Sequence, residues 1–167
     1  MISDVSDRLI PPQFQALPGT SQMFRAINNQ ADLLQPDTLI LCSEAFANFG
    51  QVDPETITRL ATHLPKATTE IQIYCALRRS DDYMISWHGQ RLKVGEKPAP
   101  LQGDGFKQYQ DTIHFNYRLA VEAWTERMPK AQLILRNYSD ILATGGSAED
   151  FVAQTDLAVP DKMITPG

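Results

Sequence analysis

The sequence predicts an α/β fold in which a mostly parallel central sheet carries helices on its two sides, an α/β/α arrangement of three layers. Two observations carry this. Three short runs, Thr38–Cys42, Ile71–Leu77 and Ala131–Leu135, are almost continuously apolar, as strands buried on both faces are. The segments between them repeat their apolar residues every three or four positions, the spacing of an amphipathic helix. Strand-like runs alternating with helical ones mark βαβ units, whose strands run parallel. The 167 residues, 43% hydrophobic and 21% charged, suit one domain over 1–167 with a single sizeable core.

Residues 1–20 hold three prolines and little periodicity, and read as an irregular arm. Ser21 is placed to cap a helix reaching about Leu34, with Phe24, Ile27, Ala31 and Leu34 on one face. Pro36 and Asp37 end it, and Thr38–Cys42 follows as the first strand. Asp53-Pro54 opens the next helix, because proline is favoured at the first helical position. Ile57, Leu60, Ala61 and Leu64 form its apolar stripe.

Ile71–Leu77 is the second strand. Ser80-Asp81-Asp82 then supplies a cap and two acids for a first turn, where the helix dipole attracts negative charge; this helix is expected to reach Leu92. Segment 93–105 is rich in Gly and Pro and has no period, so it reads as a long loop able to cover or bind a ligand. Phe115–Met128 is the clearest helix, with Tyr117, Val121, Trp124 and Met128 at helical spacing. Ala131–Leu135 is the third strand. After the Gly145-Gly146 turn, Ser147 and Asp150 resemble a capping box opening a short helix with Phe151 and Val152. Residues 158–167 read as a loosely ordered tail. Three strands make a thin sheet whose open edge invites pairing, including with a second copy of the chain.

Charge and composition narrow the function classes. A net charge of −5 argues against nucleic-acid binding, which needs concentrated Lys and Arg. The 15 basic residues can still gather into a local anion site. No apolar run approaches the ~20 residues that cross a bilayer. The start of the chain has no basic stretch followed by an apolar one, so no signal peptide and a cytoplasmic location are expected. Cys42 and Cys75 lie in strand-like runs and are expected as buried free thiols. His63, His88 and His114 match no metal-ligand spacing, so no metal is expected, and they read as surface or satisfied polar residues. Trp87 and Trp124 read as core.

Ligands of parallel α/β sheets bind outside the carboxyl ends of the strands. Two such ends stand out here: Cys42-Ser43-Glu44, and Leu77-Arg78-Arg79-Ser80 running on to Ser86. Arg78 sits at a strand end before a helix N-terminus, where free N–H groups favour anions and a guanidinium can hold a phosphate with two hydrogen bonds. Ser86, about six residues into the helix, is a rise of roughly 9 Å away. The competing structural reading pairs Arg78 with Asp81 or Asp82. Glu44 is a candidate general base, with a helix-capping or surface glutamate as its plain alternative. Arg136 is a candidate partner for some carboxylate and nothing more.

The spacing Arg78-x7-Ser86 after a strand resembles the 3′-phosphate-binding element of sulfotransferases, enzymes that use 3′-phosphoadenosine-5′-phosphosulfate (PAPS). Leu77-Arg-Arg-Ser-Asp-Asp-Tyr83 resembles the bacterial sulfotransferase-like branch, although Arg79-Ser80 replaces a small or Pro-containing turn and leaves either arginine as the phosphate ligand. Trp124 followed by Leu133-Ile-Leu-Arg-Asn-Tyr-Ser-Asp-Ile-Leu142 looks like the family's later strand and turn, and 148–157 like its next helix. The resemblance spans about 39–157. It implies a P-loop-type fold, with Arg78 and Ser86 on the 3′-phosphate of PAPS or adenosine 3′,5′-bisphosphate. Glu44, in a string like the family's Glu-x-x-Ala-Asn, would be the base, and a hydroxyl, of a carbohydrate, the acceptor. Such enzymes cradle the 5′-phosphosulfate in a Gly-rich loop with a Lys. Here the first lysine is Lys66, and Leu17-Pro-Gly-Thr-Ser21 follows no strand. The chain is therefore expected to be part of a longer enzyme, a homologue without catalysis, or one whose loop comes from another subunit. A non-catalytic nucleotide- or partner-binding module is the alternative function.

Overall fold

The structure is a computed structural model that describes residues 20–157. The predicted arm, apart from Thr20, and the tail over 158–167 lie outside the described residues. Two of the three predicted strands form. β1 (Gln72–Leu77) and β2 (Gln132–Asn137) pair in parallel, in register from Gln72 opposite Gln132 to Leu77 opposite Asn137. The backbone N–H of Gln132 also donates to the Ile71 carbonyl at 2.9 Å, fixing the entry to the ladder.

The helices are α1 (Thr20–Leu34), α2 (Phe49–Val52), α3 (Glu55–His63), α4 (Ser80–Lys93), α5 (Lys107–Gln110), α6 (Tyr117–Arg127), α7 (Tyr138–Ala143) and α8 (Ser147–Thr155). Short 3₁₀ turns precede α2 at Glu44–Asn48 and α5 at Gly103–Phe106. The chain is thus a mixed α/β protein, mostly helical, around a small parallel pair of strands. No described helix is long and apolar enough to cross a membrane.

Strand alternation sends Ile73, Cys75 and Leu77 to the same face as Leu133, Leu135 and Asn137. On that side Ile71 and Ile73 pack on the main core of Ile57 and Leu60 from α3, Ala123 and Trp124 from α6, and Met128. Phe46 and Phe49 close it, each with its ring centroid 6.3 Å from Trp124. Gly50 permits this approach: a Cβ there would stand 2.7 Å from that of Ala123. The other face carries Tyr74, Ile134 and Arg136. The Tyr74 ring meets Phe151 of α8 edge-on at 5.2 Å, and α7 lies against both strands with Ile141 fully buried.

The run Thr38–Cys42 corrects the expectation of a third strand. Among the described residues the sheet has two strands, and this run pairs with neither. Leu41 docks on the main core, while Leu39 and Ile40 stay exposed. A five-residue apolar run reads the same whether it enters a ladder or drapes one side chain over a core. Cys42 consequently is exposed rather than buried; Cys75 is half-buried, and both are free thiols.

Two helix starts also differ from expectation. The cap of α4 is Arg79, so Ser80 already lies inside the helix. The cap of α8 is Gly146, at φ 137°, a backbone conformation that glycine adopts without steric cost. Asp150 therefore does not act as a capping-box acid. The loop after α4 is held by one buried residue. Tyr109, 2% exposed, accepts a hydrogen bond from Arg91 at 3.0 Å and lies 2.9 Å from Nδ1 of His88. Arg91 also reaches Glu96 and Gln108, drawing both ends of the loop together.

Candidate functional site

The carboxyl ends of β1 and β2 open into a cleft of about 400 Å³. It is lined by Leu77, Arg78, Arg79 and Ser80 from the β1–α4 junction, Leu135, Arg136 and Asn137 from β2, and Tyr117 from α6. Three arginines thus border the ends of two parallel strands, and the lining includes no carboxylate and no histidine.

Each arginine is held differently. Arg79 donates to Asp81 through Nε at 3.1 Å and Nη2 at 2.6 Å, and both side chains are largely exposed. That fork keeps the Asp81 carboxyl below its usual range and raises Arg79. Arg136 donates to Asp150 through Nε at 3.0 Å and Nη2 at 2.7 Å. Asp150 is fully buried and also accepts from the Tyr74 hydroxyl at 2.7 Å and from Thr144 at 3.0 Å. The Arg136 hydrogen bonds, then those from Tyr74 and Thr144, hold its carboxyl down to about 2 against the opposing effect of burial. Burial and the adjacent carboxylate push the Tyr74 phenol up to about 12. Arg78 lies over the Tyr138 ring, 5.6 Å from its centroid, within cation–π range, and makes no ion pair among the described residues.

The two adjacent arginines therefore differ in their partners. Asp81 takes Arg79 and leaves Arg78 open to the cleft; the predicted pairing of Arg78 with Asp81 or Asp82 does not form. Ser86 is exposed on α4 and is not part of the cleft lining, so the fold does not bring Arg78 and Ser86 together there. Glu44 opens the first 3₁₀ turn, and its side chain lies outside the described residues.

Three features here were not legible in the sequence. The Tyr117 hydroxyl is buried without a hydrogen-bond partner among the described residues, and burial pushes it up to about 12. Beside it, His114 is buried, stacks on Trp87 at 4.4 Å and tilts against Tyr83 at 5.5 Å. Its Nδ1 has no partner, and burial, helped by the Arg91 charge, brings it down to about 4. The third was which carboxylate Arg136 takes, namely Asp150. Its only sequence signal was a basic residue ending a strand and an acid in the first turn of a later helix. No family model matches this chain, and neither the curated proteins nor the solved structures give a match.

Proposed function

We propose that the strand-end cleft binds a nucleotide through a phosphate, on a degenerate sulfotransferase-like scaffold that binds without transferring. The observation that carries this reading is Arg78, a guanidinium free of ion pairs at the carboxyl end of a parallel strand. Cationic groups at such a strand end suit an anionic ligand. The ordered motifs around Arg78, Trp124 and Arg136 supply the likeness to sulfotransferases, and with it the three-layer P-loop-type architecture and adenosine 3′,5′-bisphosphate or PAPS as ligand.

Binding without transfer is favoured over catalysis because the cleft lining offers no general base. The enzymatic reading assigns Glu44 as base, Ser86 as a second phosphate ligand and a carbohydrate hydroxyl as acceptor. A second copy of the chain, paired along the sheet edge, is a further proposed partner.

Calorimetry with adenosine 3′,5′-bisphosphate tests this. The wild type is expected to bind, and Arg78→Ala to weaken binding by roughly tenfold or more, the loss of a hydrogen bond to a charged group. No binding by the wild type rejects the proposal. Sulfuryl transfer from PAPS, abolished by Glu44→Gln, would replace it with the enzymatic reading.

A further inference from the structure

We infer that the outward face of α4 docks against the same face of a second copy of the chain, the two helices lying antiparallel about a two-fold axis near their centres. This surface is separate from the sheet edge, and the inference does not rest on the nucleotide reading above.

α4 has two unlike faces. The inward one carries Tyr83, Met84, Trp87, His88 and Arg91, at the three- and four-residue spacing of one helix side. It holds the helix to the rest of the chain. Met84 is buried, Trp87 stacks on His114, and His88 and Arg91 meet the Tyr109 hydroxyl. The outward face of such a helix is normally polar. Here it runs Asp82, Ile85, Ser86, Gly89, Leu92 and Lys93, again at helical spacing. Ile85 is 58% exposed and Leu92 52%, and a Cβ at Gly89 would meet nothing within 4 Å. Single exposed apolar side chains need no explanation. These two stand seven residues apart, on one line along the helix, with the open space at Gly89 between them.

Shape and charge select a second copy as the occupant. Positions 82, 85, 89 and 92 alternate steps of three and four, the pattern of a seam between two helices. In an antiparallel pair, Ile85 of each copy comes over Gly89 of the other, so a large side chain fills the place of a missing one. Asp82 and Lys93 stand at opposite ends of this line, about 16 Å apart and within about 20° round the helix axis. Neither makes an ion pair within the chain among the described residues. An acid at the start and a base at the end suit the helix's own dipole. The same order makes the face self-complementary, because antiparallel pairing sets Asp82 of each copy near Lys93 of the other.

A net charge of −5 opposes self-association in general, whereas along this seam the two signs balance. The face is short, about 21 Å of helix, which is small for a stable interface. The dimer is therefore weak and concentration-dependent. Pairing also covers Ser86, which lies in the seam.

Sedimentation equilibrium of the full chain, from low micromolar to near-millimolar concentration, tests this. The wild type is expected to pass from monomer to dimer, and to associate less at high salt as the end charges are screened. Gly89→Leu fills the open space at no steric cost to the monomer, and should weaken the dimer roughly tenfold or more by a clash across the seam. Asp82→Lys and Lys93→Asp each bring like charges together and should weaken it several-fold, while the two combined restore pairing with the charges exchanged. Circular dichroism checks that each variant keeps its fold. A monomer at every concentration overturns the inference. So does a dimer that Gly89→Leu and the single charge changes leave as strong as the wild type, because that dimer is built on another surface, the sheet edge included.

Discussion

Two arginine–aspartate forks border the same cleft, Arg79 with Asp81 and Arg136 with Asp150, and only their immediate chemistry is alike. The first joins neighbours in sequence, and its aspartate side chain is 53% exposed. The second joins a strand to a helix across the fold, and its aspartate is 0% exposed. A solvated pair of this kind contributes little, because water and salt already satisfy both charges. A buried carboxylate that loses its partner is left as an uncompensated charge, which is strongly destabilising. The first fork works by diversion, since it occupies Asp81 and so leaves Arg78 open. The second works by construction, since it ties β2 to α8 across the fold.

The largest expected effect follows from that contrast. Asp150→Ala removes the acceptor of Arg136, Tyr74 and Thr144 together and should lower the thermal midpoint more than any other single change at the cleft. A midpoint within a degree of the wild type would place the Asp150 cluster among the solvated pairs.

Acid unfolding comes next and separates two groups. His114 sits near 4 when folded, below the ~6.5 of an unfolded histidine, so the unfolded chain binds its proton first. Its contribution is intact above about 6.5 and is lost as pH falls towards 4. Asp150 sits near 2 when folded against ~3.9 unfolded. Its contribution is present above about 3.9 and is lost as pH falls towards 2. Urea midpoints against pH should show both windows. His114→Phe should erase the upper one, and Asp150→Asn the lower.

Tyr117→Phe should leave stability unchanged or raise it by up to about 1 kcal/mol, because it removes a buried hydroxyl with no partner. Urea unfolding measures this, and a clear loss would mean that the hydroxyl has an unrecognised acceptor. Arg79→Ala is the smallest: no measurable change in thermal midpoint, whereas a large fall would erase the distinction between the two forks.

Much of the scaffold was legible because its signals are local. The periodicity around Ile57 and Leu60 and around Tyr117 and Trp124 gave α3 and α6, and the runs at Ile71 and Ala131 gave β1 and β2. What failed depends on contacts distant in sequence. Thr38–Cys42 has strand composition but no partner strand among the described residues. Order in the Gly- and Pro-rich loop comes from Tyr109 meeting Arg91 and His88, which no window of sequence reveals. At the site, Arg78 was legible from its place at a strand end. The role of Asp150 was not, because a capping acid and a buried counter-ion look identical until the strand it faces is known.

The most direct test of the central claim is amide chemical-shift mapping of the full chain on titration with adenosine 3′,5′-bisphosphate. The account predicts saturable shifts concentrated at 77–81 and 135–138, the two strand ends that line the cleft, and their loss in Arg78→Ala. Shifts centred elsewhere, or none at millimolar ligand, would contradict it.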